Sequence, residues 1–395
     1  MILDRLVLLL LVVFPLTLGA MAQQVPAPRV IDLKASDGTI LKATYFSAAK
    51  SGPGVLLLHQ CNRQRKVWDD LAGQLATAGI NALTFDLRGF GESGGSPNDK
   101  LTPEDAAKVE AEKWPGDIET AFQYLVSQPG VTRDVIGVGG ASCGVNNSIQ
   151  TARRHPAEVK SLVLLSGGTD LAGRRFVRQE SRLPELFAVA DDDEFRATVE
   201  IMPWLFGVSS NSGKKFVHYA SGGHGADMFA VHPELRSVIV DWYVTTLMKT
   251  PGKALADKSS ESVSQSVQML NQIEMPGGVD EVARKLAEAR RSDPKAVLFP
   301  ETIVNLMGYQ HLLAGDTKTA VEIMKLNVTA FPESPNAYDS LSDVYLADGQ
   351  KGLARQNAKR AIELLASDTT DPQSRRDAIR DNAQMKLKQL GEVQP

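Results

Sequence analysis

Residues 30–249 carry short, nearly continuous apolar runs, each followed by a stretch of mixed polarity long enough for a helix. Gly54-Val55-Leu56-Leu57-Leu58-His59 is the clearest, with the composition of a strand buried on both faces. The same pattern predicts strands over Ile80 to Leu87, from Val135 into a Gly-rich turn, over Ser161 to Leu165, over Glu185 to Ala190 and over Lys215 to Tyr219. Between them the spacing predicts helices from about Val67 to Gly79, Pro103 to Gln128, Val145 to Arg154 and Pro233 to Leu247, with Gly79 suited to a C-cap. Two alternating segments flank Ser36-Asp37-Gly38-Thr39, a hairpin signal. Strands alternating with helices argue for a mostly parallel sheet covered on both faces, with polar chemistry gathered where strands end.

The pattern changes after residue 249. Pro251 to Gly277 is rich in Lys, Ser, Gln and Pro, as a linker would be. Beyond it the chain reads as helical, and similar residues recur 34 positions apart: Met307 and Leu341, Leu312 and Leu346, Gly315 and Gly349, Ala320 and Ala354. Gly308 and Ser342 match as small residues, and Pro332 ends the first unit. This spacing resembles the tetratricopeptide repeat, two helices per unit. Val279 to Arg291 suits a preceding partial unit, and unrelated helical hairpins are the alternative. The expected fold class is therefore α/β, a doubly wound sheet over residues 28–249, then a linker over 250–277 and a small all-α region over 278–395.

The first residues read as a secretory signal. Arg5 stands before an apolar run from Leu6 to Leu18, and Ala20-Met21-Ala22 offers an A-x-A cleavage site before Gln23. The run is too short to span a bilayer, so no stable membrane insertion is expected once residues 1–22 are removed. With no cysteine near the cleavage site, a lipoprotein is not expected. An exported protein of the bacterial periplasm is the reading, and an uncleaved anchor the alternative. Over the 395 residues, hydrophobic types make up 43% and charged types 23%, and the net charge of -4 gives no bulk electrostatic case for nucleic acid.

The candidate chemistry centres on Gly140-Ala141-Ser142-Cys143-Gly144, a G-x-S-x-G between a strand and a helix. A serine on such a tight turn lifts its hydroxyl clear of the backbone, and the flanking glycines leave room for the turn. The following helix aims its N-terminal N–H groups where negative charge develops. A phosphate could also sit there, but no G-x-G-x-x-G or Walker A pattern supports a nucleotide. A serine needs a base to take its proton, usually a histidine held by a carboxylate. His224 lies in a Gly-rich loop after the last predicted strand. His218 lies within that strand, His232 begins a helix, and His311 is in the repeat region. Asp191, Asp192 and Asp193 follow Leu186-Phe187-Ala188-Val189-Ala190, with Asp193 preferred and Asp192 second.

These residues resemble the α/β-hydrolase superfamily, and within it the dienelactone-hydrolase-like serine esterases. The resemblance rests on His59-Gln60-Cys61, Trp68, Asp86-Leu87-Arg88-Gly89-Phe90-Gly91-Glu92-Ser93, Gly140 to Gly144, Asp193 and Gly223-His224-Gly225. It covers roughly Val30 to Lys249. Dienelactone hydrolases use a cysteine nucleophile, whereas Ser142 stands here, which argues against dienelactone as the substrate. The resemblance implies a triad of Ser142, Asp193 and His224. It also implies an oxyanion hole built from the N–H of Cys143 and that of Gln60 or Cys61. No metal or organic cofactor is implied. Cys61 and Cys143 are then expected side by side at the mouth of one site, where an exported protein would oxidise them to a disulfide; two packed thiols are the alternative. The short Ser166–Pro184 loop leaves little room for a large lid, so an open site is expected.

The expected function is hydrolysis of a small ester or related acyl substrate through an acyl-enzyme. The alternatives are a serine peptidase, or a silent hydrolase-like binding protein with a repeat adaptor. The repeats are expected to hold a protein partner or a second copy of the chain.

Overall fold

The computed structural model describes residues 25–253, 263–369 and 371–391. The signal-peptide reading of residues 1–22 lies outside the described residues. Eight strands form one sheet in the order β1-β2-β4-β3-β5-β6-β7-β8. They are β1 (Arg29–Lys34), β2 (Ile40–Phe46), β3 (Gly52–Leu58), β4 (Asn81–Phe85), β5 (Val131–Ala141), β6 (Val159–Leu165), β7 (Glu185–Ala190) and β8 (Lys215–Tyr219). The hairpin β1–β2 and the pair β2–β4 are antiparallel, and β4, β3, β5, β6, β7 and β8 run parallel. From β3 the chain steps to one side into β4 and then to the other into β5. The strand order therefore reverses at β3 and β5, and a crevice opens past their carboxyl ends, the usual ligand position in such sheets.

The period of two along each strand divides the core. Val55 and Leu57 of β3 pack with α1 (Asp69–Thr77), while Leu56 and Leu58 face the opposite layer. That layer contains α2 (Pro103–Glu112), α3 (Trp114–Ser127) and α4 (Cys143–Arg154). The long helix expected over 103–128 is two helices, because Pro115, in the first turn of α3, has no N–H to give the preceding turn. The chain continues through α5 (Leu171–Gln179), α6 (Ala197–Val208), α7 (Met228–Val231) and α8 (Glu234–Tyr243), and α8 passes into a wider turn over Val244–Lys249.

The remaining helices are α9 (Gln265–Ile273), α10 (Gly278–Ser292), α11 (Glu301–Leu313), α12 (Thr317–Ala330), α13 (Pro335–Ala347), α14 (Lys351–Leu365) and α15 (Gln373–Gln389). The first helices of two successive pairs begin at Glu301 and Pro335, 34 positions apart, and their second helices at Thr317 and Lys351 keep the same interval. Part of the stretch expected as a linker is structured: α9 stands within it, with Val267, Met269, Leu270 and Ile273 buried. Met269, Leu270 and Ile273, with Val282, Leu286, Ile303 and Val304, belong to the same apolar cluster as Met202, Trp204, Leu205 and Phe206 of α6. The helical segment thus extends the core of the α/β unit. Among the described residues no helix is long and apolar enough to cross a membrane.

Candidate active site

The candidate serine ends β5. Ser142 adopts φ 54° and ψ −120°, a strained turn for a residue with a side chain, and its N–H donates to the Leu165 carbonyl at 2.9 Å. The flanking glycines are required by close approach. A Cβ on Gly140 would lie 2.0 Å from the Gly144 carbonyl oxygen, and one on Gly144 would lie 2.4 Å from that of Leu58. Helix α4 can therefore fold back directly onto the ends of β5 and β3. Cys143 opens α4, so its N–H has no carbonyl within the helix and is free to serve a ligand.

The loop after β3 faces this turn. His59 and Gln60 are buried there. The Leu87 N–H donates to His59 Nε2 at 3.0 Å, which leaves the proton on Nδ1 to be donated to the Gln60 carbonyl at 2.8 Å. Burial lowers the His59 pKa against the opposing pull of the Gln60 carbonyl and Asp86, so this ring stays neutral and shapes the loop. The motif around Asp86 is structural. Asp86 is buried, pairs with the Arg65 guanidinium, and accepts from the N–H groups of Arg65 at 2.7 Å and Glu92 at 2.9 Å. A disulfide joins Cys61 to Cys143 across 82 residues, with a Cα separation of 5.9 Å.

The histidine loop closes the third side. Asp193 is fully buried, and both of its carboxylate oxygens lie 2.9 Å from His224 Nδ1. Burial works to raise the Asp193 pKa, but hydrogen bonds from His224, Thr198 and the Phe195 N–H prevail and hold it below its ordinary value. His224 Nε2 is buried and has no hydrogen-bond partner among the described residues. Asp192 is exposed and accepts from the Gly223 N–H at 2.8 Å, so it shapes the loop and leaves the imidazole to Asp193. Asp191 pairs with His218 at 2.7 Å on the surface. His232 stacks on Tyr219 with ring centroids 3.7 Å apart, and His311 pairs with Asp316 at 3.0 Å.

Gln60 ties the histidine loop to the loop after β3. Its Oε1 accepts from the Ala226 N–H at 2.7 Å, and its Nε2 donates to the His224 carbonyl at 3.3 Å. Gly225, at φ 59°, comes so close that a Cβ there would meet Gln60 Oε1 at 2.5 Å and Ala141 Cβ at 3.2 Å. The residue after His224 therefore rests on the residue before Ser142. The exposed ring of Phe195 lies 4.5 Å from the His224 ring.

Residues 50–190 match the family model described as serine aminopeptidase, S33. The strand order, the strained serine turn and this match agree. Over this matched segment the chain is similar to the α/β hydrolases. The chain is 29% identical over 117 residues to a thiohydrolase of Aspergillus aculeatus, covering 29% of this chain and 34% of that protein. It is 30% identical over 149 residues to an uncharacterized protein of Mycobacterium tuberculosis, covering 37% of this chain and 48% of that one. The chain thus spans between a third and a half of the curated relatives it matches. Among solved structures, a dienelactone hydrolase from Anabaena variabilis is 18% identical at a TM-score of 0.44, covering 57% of this chain and all of that one. The matched family model supports a hydrolase function.

Sequence reasoning missed what lies beyond the loop after β6. Arg174 of α5 is fully buried; its Nη1 donates to the Thr169 carbonyl at 3.2 Å and to Gln310 Oε1, and its guanidinium pairs with Glu274 and lies 4.5 Å over the Trp204 ring. Gln310 of α11 donates in turn to the Thr169 carbonyl at 3.1 Å. The short Ser166–Pro184 loop indeed carries only α5, but α11 comes against it from the far end of the chain. No local signal marks a pairing across 136 residues.

Proposed function

We propose that this protein is a serine hydrolase of esters or thioesters that works through an acyl-enzyme. Ser142 attacks the carbonyl carbon, and its proton passes to His224 Nε2. Asp193 keeps the other ring nitrogen protonated and stabilises the imidazolium. The N–H groups of Cys143 and Cys61 receive the developing oxyanion. Collapse of the tetrahedral species expels the alkoxide or thiolate, which takes the proton from His224. Water, activated by the same ring, then releases the acid and restores Ser142. The observation that carries the reading is the buried Asp193–His224 pair, whose free nitrogen belongs to a loop packed on Ala141 beside Ser142. Thioesters are included because a curated relative is named a thiohydrolase.

The test is labelling of the intact protein with a fluorophosphonate, beside hydrolysis of p-nitrophenyl esters and acyl thioesters. Wild type should gain one adduct and Ser142→Ala none. The matched family model, described as a serine aminopeptidase, favours one second reading, an aminopeptidase. Aminoacyl p-nitroanilides separate the two, since a larger kcat/KM on the anilides than on the esters would transfer the assignment. A protein that neither labels nor hydrolyses is the silent binding protein.

Export and partner binding by the helical pairs complete the proposal. The A-x-A before Gln23 and a disulfide at the site are consistent with an oxidising compartment. An N-terminus other than Gln23 on protein recovered from the periplasm, or its absence from that fraction, would count against export. For the helical pairs, sedimentation of full-length protein tests a second copy as partner.

A further inference from the structure

A cleft opens between the α/β unit and the helical segment. It has a volume of about 380 Å³, and Gly168, Ile201, Trp204, Leu306 and Leu313 are among the residues that line it. That size falls within the range of about 300–1,000 Å³ for small-ligand pockets. Its wall is shared: Ile201 and Trp204 come from α6, and Leu306 and Leu313 from α11. Leu313 is 86% exposed at the mouth of the cleft.

Two observations connect the cleft to the candidate serine. Gly167 lies against Ser142 so closely that a Cβ there would meet the Ser142 carbonyl oxygen at 2.4 Å, and Gly168 is the next residue. Asn146, also lining the cleft, is one helical turn beyond Ser142 on α4. The polar groups of the wall are already engaged with the protein. Thr169 Oγ1 donates to Asn146 Oδ1 at 2.8 Å, Asp170 Oδ1 accepts from the Gly173 N–H at 2.7 Å, and Arg174 and Gln310 bond each other and the Thr169 carbonyl. An incoming group therefore meets mainly apolar surface. On the serine-hydrolase reading above, on which this inference rests, we infer that the cleft takes the unbranched aliphatic arm of the substrate. In this arrangement α11 of the helical segment sets the length of arm accepted.

The arm can lie on either side of the scissile carbonyl, so two ester series are needed. One is p-nitrophenyl esters with acyl chains of two to ten carbons, the other acetate esters of alcohols of the same lengths. In the matching series kcat/KM should rise about three- to fourfold per methylene, the factor given by about 0.8 kcal/mol per buried CH₂, and then level off. Leu306→Trp and Ile201→Trp, which fill the cleft, should lower the ratio of eight-carbon to two-carbon kcat/KM at least tenfold. Leu313→Trp, at the exposed mouth, should lower it several-fold without disturbing the fold. Leu353→Trp, on α14 away from the cleft, should leave the ratio as in wild type. Fluorophosphonate labelling runs in parallel. Labelled Ser142 with a flat chain-length profile in both series, or a ratio unmoved by all three cleft variants, would overturn the subsite and leave the hydrolase reading standing. Absence of labelling would overturn both.

Discussion

Cys61 and Cys143, each on a segment expected to give one N–H to an oxyanion, are disulfide-bonded with Cα atoms 5.9 Å apart. The bond fastens the loop after β3 to the N-terminus of α4, two elements that share no covalent neighbour over 82 residues. Its catalytic consequence follows from what an oxyanion hole needs, donors held about 3 Å from one oxygen before the reaction starts.

Reduction should therefore lower kcat while the fold persists. Loss of one well-placed oxyanion donor costs about 10²–10³ in kcat, which bounds the effect of loosening both. The bond closes a long loop, so removing it should also cost about 4 kcal/mol in denaturant unfolding. Ester turnover with and without dithiothreitol, beside circular dichroism, reads both effects. Two free thiols on denatured, unreduced protein from the periplasm would end the idea.

Asp193→Asn should lower kcat roughly 10⁴-fold, because an amide cannot hold the ring in the tautomer that leaves Nε2 basic. Asp192→Asn should change kcat little, since Asp192 contacts only the Gly223 N–H among the described residues. A larger loss at Asp192 than at Asp193 would reverse the two roles.

The sheet was legible because its strands are buried on both faces. Continuous runs such as Val55 to Leu58 need little context to be recognised. Asp193 was separable from its two acidic neighbours only by counting from the strand end, and structurally by its complete burial. The sequence points to Gln60 only as a backbone donor; that its side chain braces the histidine loop depends on residues 164 and 166 positions away. The linker expectation failed over α9 because its composition is polar overall while its buried positions, Val267, Leu270 and Ile273, fall on one helical face.

Glu185 should make stability depend on pH. Burial pushes its carboxyl up to about 8, against weaker pulls from Ser209 and Lys214. A folded-state pKa above the ordinary 4.5 means that the folded protein holds this proton more tightly. The stabilisation is full below about pH 4.5 and is lost as pH rises through about 8, at up to about 1.4 kcal/mol per pH unit. Glu185→Gln removes the dependence, so its stability relative to wild type should improve from pH 5 to about pH 8 and level off above. Urea unfolding at several pH values measures this, and a constant offset between the two proteins would refute it.

Arg174 links the α/β unit to the helical segment. Arg174 and Glu274 are both buried, and Arg178 also reaches Glu274, at 2.9 Å. Burial alone would raise the Glu274 pKa, yet the charges and hydrogen bonds of the two arginines hold it below its ordinary value. Removing one member of such a pair strands the other in a poor solvent, at a cost of about 3–5 kcal/mol. Arg174→Ala should thus destabilise the full-length protein by several kcal/mol and also lower kcat/KM, because the Thr169 carbonyl and Gln310 Oε1 each lose a donor on the loop that passes Ser142. Replacing both partners, Arg174→Met with Glu274→Met, restores apolar packing against Trp204 without a buried charge. The double variant should recover most of the stability, but not the alignment of Gln310 with the Thr169 loop. Recovery of kcat/KM together with stability would show that the knot acts only through the fold. Recovery of stability alone would show that the helical segment also positions the site.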